Sequence, residues 1–333
     1  MVLMAAASLI MGCGALSEPT DVTPLFVVPA HFPSPIRTDG EALCTPERVA
    51  LGRALFYDEI LSRDATVSCA SCHQQNYAFT QHGHRVSHGV EDRLGTRNSL
   101  PLQNLAWQPS FLWDGGVHNL DLFPPLPISN PVEMDLSMDS AMARLRNSPR
   151  YRVLMRAAEG DDSISTSRVL KAFSAFMLTM ISSTSPYDDA LVGRTQRTSE
   201  QERGNTLFQQ HCTSCHVPPL FTDHSFRNTG LLPSVVDDRG RATITLDPRD
   251  AYAFKVPSLR NVEVTGPYSH DGRYRTLREA VAHYRDNVTA LPGVDPAVAG
   301  GLALSEREID DIVAFLRTLT DRSFLINKAL GPP

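Results

Sequence analysis

Positive charge, aromatic side chains and strand-forming stretches are all scarce in this sequence. A formal net charge of −6 over 333 residues supplies no basic face, which excludes a nucleic-acid partner. Aromatics make up 7%, and strand signal is confined to short pieces near Ala242–Leu246. An all-β architecture is thereby excluded, and the fold class expected is mostly α. The opening apolar run, MVLMAAASLIMGC over residues 1–13, is too short to span a bilayer as a helix. No Lys or Arg precedes it, so it is read as the h-region of a secretory signal without its basic flank. Leu9-Ile10-Met11-Gly12-Cys13 approximates a lipobox. This predicts export to the periplasmic side, with a lipid anchor through Cys13 as the only membrane attachment.

Hydrophobic residues at 42% and charged residues at 20% describe a globular chain rather than a disordered one. The length suits two ordinary domains, and Pro (24) and Gly (20) favour long loops between helices. Six cysteines stand at 13, 44, 69, 72, 212 and 215. Four of them form two C-x-x-C pairs, Cys69/Cys72 and Cys212/Cys215, followed directly by His73 and His216. That pattern is the signal for covalent haem attachment. The two thiols add to the haem vinyl groups and the adjacent imidazole turns to the iron. A disulfide or structural-zinc reading of the pairs leaves the two histidines without a reason. Cys44 is left over as an unpaired thiol with no assigned role.

The context of the two pairs is duplicated. Thr45-Pro46-Glu47 opens a helix, with Thr as N-cap and Pro at the first position, that carries Gly52, Leu55 and Phe56 before Cys69. Ser199 opens a second, carrying Gly204, Leu207 and Phe208 before Cys212. Each copy is closed by an apolar helix, Val169–Ile181 and Ile309–Leu319. The repeat predicts two cytochrome c-like haem domains, in which the first and last helices cross closely at the glycine. The expected boundaries are a signal and lipobox over 1–13 and a Pro-, Thr- and Ser-rich linker over 14–44. An N-terminal haem domain over 45–190 and a C-terminal one over 191–333 follow, with Ser182–Thr198 joining them.

The blocks LGRALFYDEILSRDATVSCASCH (51–73), FLWDGG (111–116), NPVEM (130–134) and FKVPSLRNVEVTGPYSHDG (254–272), with the second haem motif, resemble the bacterial dihaem cytochrome c peroxidase and MauG superfamily. They run in order across roughly residues 45–320. The resemblance implies that the His73 haem is the peroxide site. Glu133 would then move the proton between the peroxide oxygens, because heterolysis needs a base for one oxygen and an acid for the other. Pro127 matches a family proline over the same haem. Where the family has glutamine ten residues before the glutamate, this chain has Phe123, which makes the pocket drier. Trp113 matches the tryptophan that relays electrons between the haems. Asn98, Thr265 and Pro267 match a calcium site, whose hard oxygen ligands suit Ca²⁺. His88 lies near where some members place a displaceable sixth ligand.

The sixth ligand of the second haem separates branches of the family. Fourteen residues after His270 stands Tyr284, where donor-driven peroxidases have methionine and the MauG branch has tyrosine. Methionine raises the potential, whereas a phenolate favours oxidised iron. The implied cofactors are two covalent haem c groups and one Ca²⁺. The implied partners are H₂O₂ with an electron-donor cytochrome c or small copper protein, or else a protein substrate. Three readings stay open: a dihaem peroxidase, a MauG-like maturation enzyme that oxidises a partner protein, and a dihaem electron carrier without catalysis. His82, His84, His118, His211, His224 and His283 carry no assignment.

Overall fold

The computed structural model describes residues 24–233 and 236–333; the lipobox at Cys13 lies outside them. Among the described residues the regular structure is helical. One antiparallel pair of two-residue strands, β1 (Phe226–Arg227) and β2 (Phe254–Lys255), forms the sheet. No helix there is long and apolar enough to cross a membrane. Ala242–Leu246, expected as strand, is instead a helical turn over Ala242–Thr245. Thr243 Oγ1 donates to the Gly240 carbonyl at 2.8 Å, a local bond that competes with extended backbone.

Six helices position the sites: α1 (Pro46–Tyr57), α2 (Thr166–Leu178), α3 (Pro186–Leu191), α4 (Ser199–His211), α5 (Leu277–Asp286) and α6 (Glu306–Arg317). Thr45 caps α1, accepting the Arg48 N–H at 3.3 Å, and Pro46 takes the first position. Thr198, one residue before the expected start, caps α4 in a reciprocal box with Gln201. The closing helices α2 and α6 begin and end earlier than their apolar runs suggest, because Ser165 and Ser305 fix their starts.

The duplication is visible in three dimensions, with α1 crossing α2 and α4 crossing α6. A Cβ at Gly52 would lie 1.9 Å from the Ala172 carbonyl oxygen, and one at Gly204 would lie 1.8 Å from that of Asp311. Only glycine admits backbones this close. Around the first crossing Leu51, Leu55, Phe56, Phe173 and Phe176 form a core; around the second Phe208, Phe221, Ile309 and Phe315 form another.

Two segments do not sit where the sequence places them. Residues 24–44, expected as a linker, pack on the body. Phe26 and Phe32 are buried against Trp107 at ring separations of 6.4 and 5.2 Å, and Trp107 Nε1 donates to Pro33 O at 2.8 Å. The two phenylalanines among the prolines give this stretch an apolar face. At the other end, Phe324, Leu325 and Leu330 belong to the first core. Tyr57 donates to Leu330 O at 2.7 Å and Arg53 Nε to Gly331 O at 2.6 Å. The last residues therefore complete the first domain, although the sequence assigns them to the second.

The stretch between the domains contains α3, whose Asp188 is 3% exposed and meets Arg260 at 0%. The Arg260 fork donates to both carboxylate oxygens at 2.9 and 2.8 Å. Ser185 and His31 add further bonds at 2.7 and 3.0 Å. Burial would raise the Asp188 pKa, but Arg260 and Ser185 outweigh it and hold the carboxyl below its ordinary value. Removing one partner of such a pair strands a buried charge. Asp188→Ala should therefore lose roughly 3–5 kcal/mol in urea denaturation, and Asp188→Ala/Arg260→Met should recover most of it. Because the folded pKa is the lower one, this stabilisation is present above the ordinary carboxylate range and is lost as pH falls through the folded value. The gap between wild type and Asp188→Ala should accordingly narrow on acidification.

Candidate functional site

Each C-x-x-C pair opens on a cavity, and the two histidines are held in the same way. Cys69–Cys72 forms a single helical turn, after which His73 Nδ1 meets the Phe79 carbonyl oxygen at 2.6 Å. His216 Nδ1 meets the Phe221 carbonyl oxygen at 3.0 Å. A carbonyl can only accept, so Nδ1 carries the proton and Nε2 presents its lone pair, the orientation a metal-binding imidazole needs. Burial lowers both pKa values against the opposing carbonyl bonds, which keeps the rings neutral. The carbonyls are aimed by uncommon backbone, since Phe79 and Phe221 have φ of 59° and 55°. Sequence reasoning missed these two residues. The available signal was the dipeptide Phe-Thr, which follows each haem motif at 79–80 and 221–222.

No disulfide joins the motif cysteines or Cys44 among the described residues. Burial pushes Cys69 and Cys212 up to about 12 and Cys72 up to about 11. Among the described residues no three His, Cys, Asp or Glu side chains converge on a metal-binding position. The disulfide and zinc readings of the pairs therefore have no support, whereas two thiols beside a neutral, oriented imidazole fit a thioether-bound haem. Cys44 is buried, donates to Ala175 O at 3.3 Å and is pushed up to about 12, as an inert core thiol would be.

The cavity over His73 is also lined by Glu133, Pro127, Phe123 and Trp113. Glu133 is half-buried, and Asn130 Nδ2 donates to its Oε1 at 2.7 Å. Asn130 Oδ1 accepts the Val132 N–H at 3.2 Å, which fixes the amide so that its nitrogen faces the carboxylate. Burial raises the Glu133 pKa and the Asn130 bond only partly offsets it. The result is a carboxyl that keeps its proton to higher pH than an exposed glutamate does. Phe123 packs edge-on to Phe111 at 6.3 Å and brings no polar atom to the cavity. His88 lines the same cavity, but its Nδ1 is bound to Asp92 at 2.5 Å, leaving Nε2 as its free nitrogen.

His216 shares its cavity with Tyr284 and Tyr274, and no methionine lines it. His283 tells the two tyrosines apart. Its Nε2 meets the Thr229 carbonyl at 2.9 Å and must be the protonated nitrogen, so Nδ1 accepts from the Tyr274 hydroxyl at 2.9 Å. Tyr274 is thus engaged, whereas the Tyr284 hydroxyl makes no hydrogen bond among the described residues. Burial and the neighbouring Cys212 and Cys215 push the Tyr284 phenol up. It stays protonated unless a cation in the cavity takes up its charge.

Trp113 lines both cavities and donates from Nε1 to Asn98 O at 2.8 Å. Asn98 and Pro267 are in contact, and Thr265 lines the same cavity. Asn98 Nδ2 donates to Pro267 O at 2.5 Å, while Asn98 Oδ1 is buried without a hydrogen-bond partner. A buried side-chain oxygen without a partner is the kind of group a hard cation takes.

Two family profiles match the chain, one described as di-haem cytochrome c peroxidase over residues 46–196 and one as cytochrome c over 201–320. The methylamine utilization protein MauG of Methylorubrum extorquens is 37% identical over 83% of this chain and 78% of its own length. The cytochrome c551 peroxidase of Nitrosomonas europaea is 31% identical over 83% of this chain and 81% of its own. Among solved structures, a MauG-like protein associated with microbial copper homeostasis superposes with a TM-score of 0.81. It is 31% identical, over 92% of this chain and 98% of its own. The shared haem motifs, the duplicated helix crossings and these relatives lead to one conclusion: this chain, with its two haem c groups, belongs to the di-haem cytochrome c peroxidase and MauG family.

Proposed function

We propose that the chain is a peroxidase that reduces H₂O₂ at the His73 site and shares the oxidising equivalents with the His216/Tyr284 site through Trp113. Haem iron supplies the electrons for cleaving the O–O bond. The observation that supports this reading is Glu133, a half-buried carboxyl with a raised pKa in the His73 cavity. Its Oε1 is held by Asn130, which leaves Oε2 to take a proton from one peroxide oxygen and return it to the other. A pure electron carrier has no use for such a group beside its iron. His73 and His216 orient through their carbonyl bonds, and Pro127 and Phe123 restrict water on the Glu133 side. We also assign Ca²⁺ to Asn98, Thr265 and Pro267. Export with a lipid anchor at Cys13 completes the proposal.

A second reading, oxidation of a partner protein, is favoured by Tyr284. Its unengaged hydroxyl in a cavity without methionine suits an anionic oxygen ligand, which stabilises oxidised over reduced iron. Such a site resists reduction by a donor cytochrome and holds oxidising equivalents longer.

Glu133→Gln should retain both haems and slow the reaction with H₂O₂ by roughly 10²–10⁴, the contribution of a positioned acid–base group. The wild-type rate should fall as pH drops through the raised Glu133 pKa, above the usual carboxylate range, and this acid limb should vanish in the variant. Stopped-flow mixing across pH reads both; an unchanged rate constant would remove Glu133 from the mechanism. Tyr284→Met should make the second haem easier to reduce. Wild type should react with H₂O₂ while fully oxidised, whereas a need for prior one-electron reduction, with fast turnover of a cytochrome c, would favour the donor-driven peroxidase.

A further inference from the structure

Lys255, on β2, is the one residue at the junction of the two cavities whose charge has no counterpart in the fold described above. Its backbone N–H donates to Trp113 O at 2.8 Å, and its side chain lines both cavities beside Trp113. The residue is 5% exposed. Nζ donates to Gln108 Oε1 at 2.8 Å and to Ser110 O at 3.1 Å, and both acceptors are neutral. An ammonium has three N–H donors, so one remains. Among the described residues no carboxylate lies within ion-pair distance of Nζ. Asp114, whose charge reaches Lys255 from further away, is already occupied. Its Oδ2 takes Arg97 Nη1 at 2.5 Å, and its Oδ1 takes the Gly116 N–H at 2.9 Å.

A buried ammonium without an anion is costly. Burial pushes this amine down to about 8 with only partial relief from Asp114, and its charge in turn helps hold the nearby His224 down to about 4. Buried charges persist when they are paired. The described residues supply no partner, and the side chain borders both cavities. An anion presented from a cavity would restore the balance. Haem carries two propionate carboxylates, the chemical class that an ammonium with a spare donor takes.

We propose that Lys255 is a haem-propionate anchor at the Trp113 junction, pairing its ammonium with a carboxylate of one of the two haems. The pairing places a fixed positive charge beside that haem, which favours its reduced form over its oxidised form. Lys255 thereby acts as a positioning and potential-setting residue rather than a catalytic one. The inference requires both haems but not peroxide turnover, so it stands or falls independently of the peroxidase reading.

The test is a spectroelectrochemical titration of the holoprotein, following each haem by its own optical and EPR signals. Lys255→Met should load both haems and shift one of them to lower potential, while Lys255→Arg, which keeps the charge, should restore it. A shift at the His73 haem identifies that propionate as the partner, and a shift at the His216 haem identifies the other. Should Met prevent haem loading, Lys255→Gln keeps a donor without the charge and is titrated instead. The same potentials in wild type and in the loaded uncharged variant would overturn the proposal, leaving Lys255 as a structural donor to Gln108 and Ser110 only. A shift that Lys255→Arg fails to restore would overturn it too, because lost packing rather than lost charge would then be the cause.

Discussion

Both haem sites depend on backbone touching backbone. At Gly52 and Gly204 the first helix of each domain lies against the carbonyls of the last, with no side chain between them. That contact sets the angle at which α1 and α4 deliver the chain to Cys69 and Cys212. It also sets the position of the phenylalanines whose carbonyls orient His73 and His216. A larger residue at either glycine would have to displace main chain rather than a side-chain tip. The displacement would reach the imidazole through the packed core around Phe56 and Phe79 in one domain and Phe208 and Phe221 in the other.

The two domains meet across a polar seam. Asn261 Nδ2 donates to Ser182 Oγ at 2.9 Å, its Oδ1 accepts the Asp321 N–H at 2.7 Å, and Gln103 Nε2 donates to Arg260 O at 2.5 Å. Each of these groups is buried, so slippage would leave donors and acceptors unpaired. An apolar interface of the same area would tolerate a shifted register, which the distance between two electron-transfer centres cannot. Trp113 and Lys255 sit where the seam meets both cavities.

Much of this was legible in the sequence because covalent haem attachment and helix crossing leave local signatures. C-x-x-C-H fixes the thiols and the imidazole within five positions, and the caps and glycines of α1 and α4 are read from neighbouring residues. Glu133, Trp113 and Tyr284 were legible only through the family resemblance, since nothing local to them predicts a cavity. The carbonyls of Phe79 and Phe221 went unread because every residue has a carbonyl and only backbone conformation selects these two. The engagement of Tyr274 by His283 is a contact on one side of a cavity that no periodicity encodes. The docking of residues 24–44 and 324–330 was hidden for a related reason. Short apolar residues among prolines look like linker until the surface that receives them is known.

The placement of Phe324 and Leu330 in the first core bears on the order of events during synthesis. Phe324 packs edge-on to Phe79 at 5.7 Å, and Phe79 is the residue whose carbonyl holds His73. A nascent chain that has emerged only as far as residue 200 carries the first C-x-x-C-H complete but lacks the side chains that close the wall behind it. The wall behind the first haem motif is thus built from both halves of the chain, and His73 gains its full packing only when Phe324 is in place against Phe79.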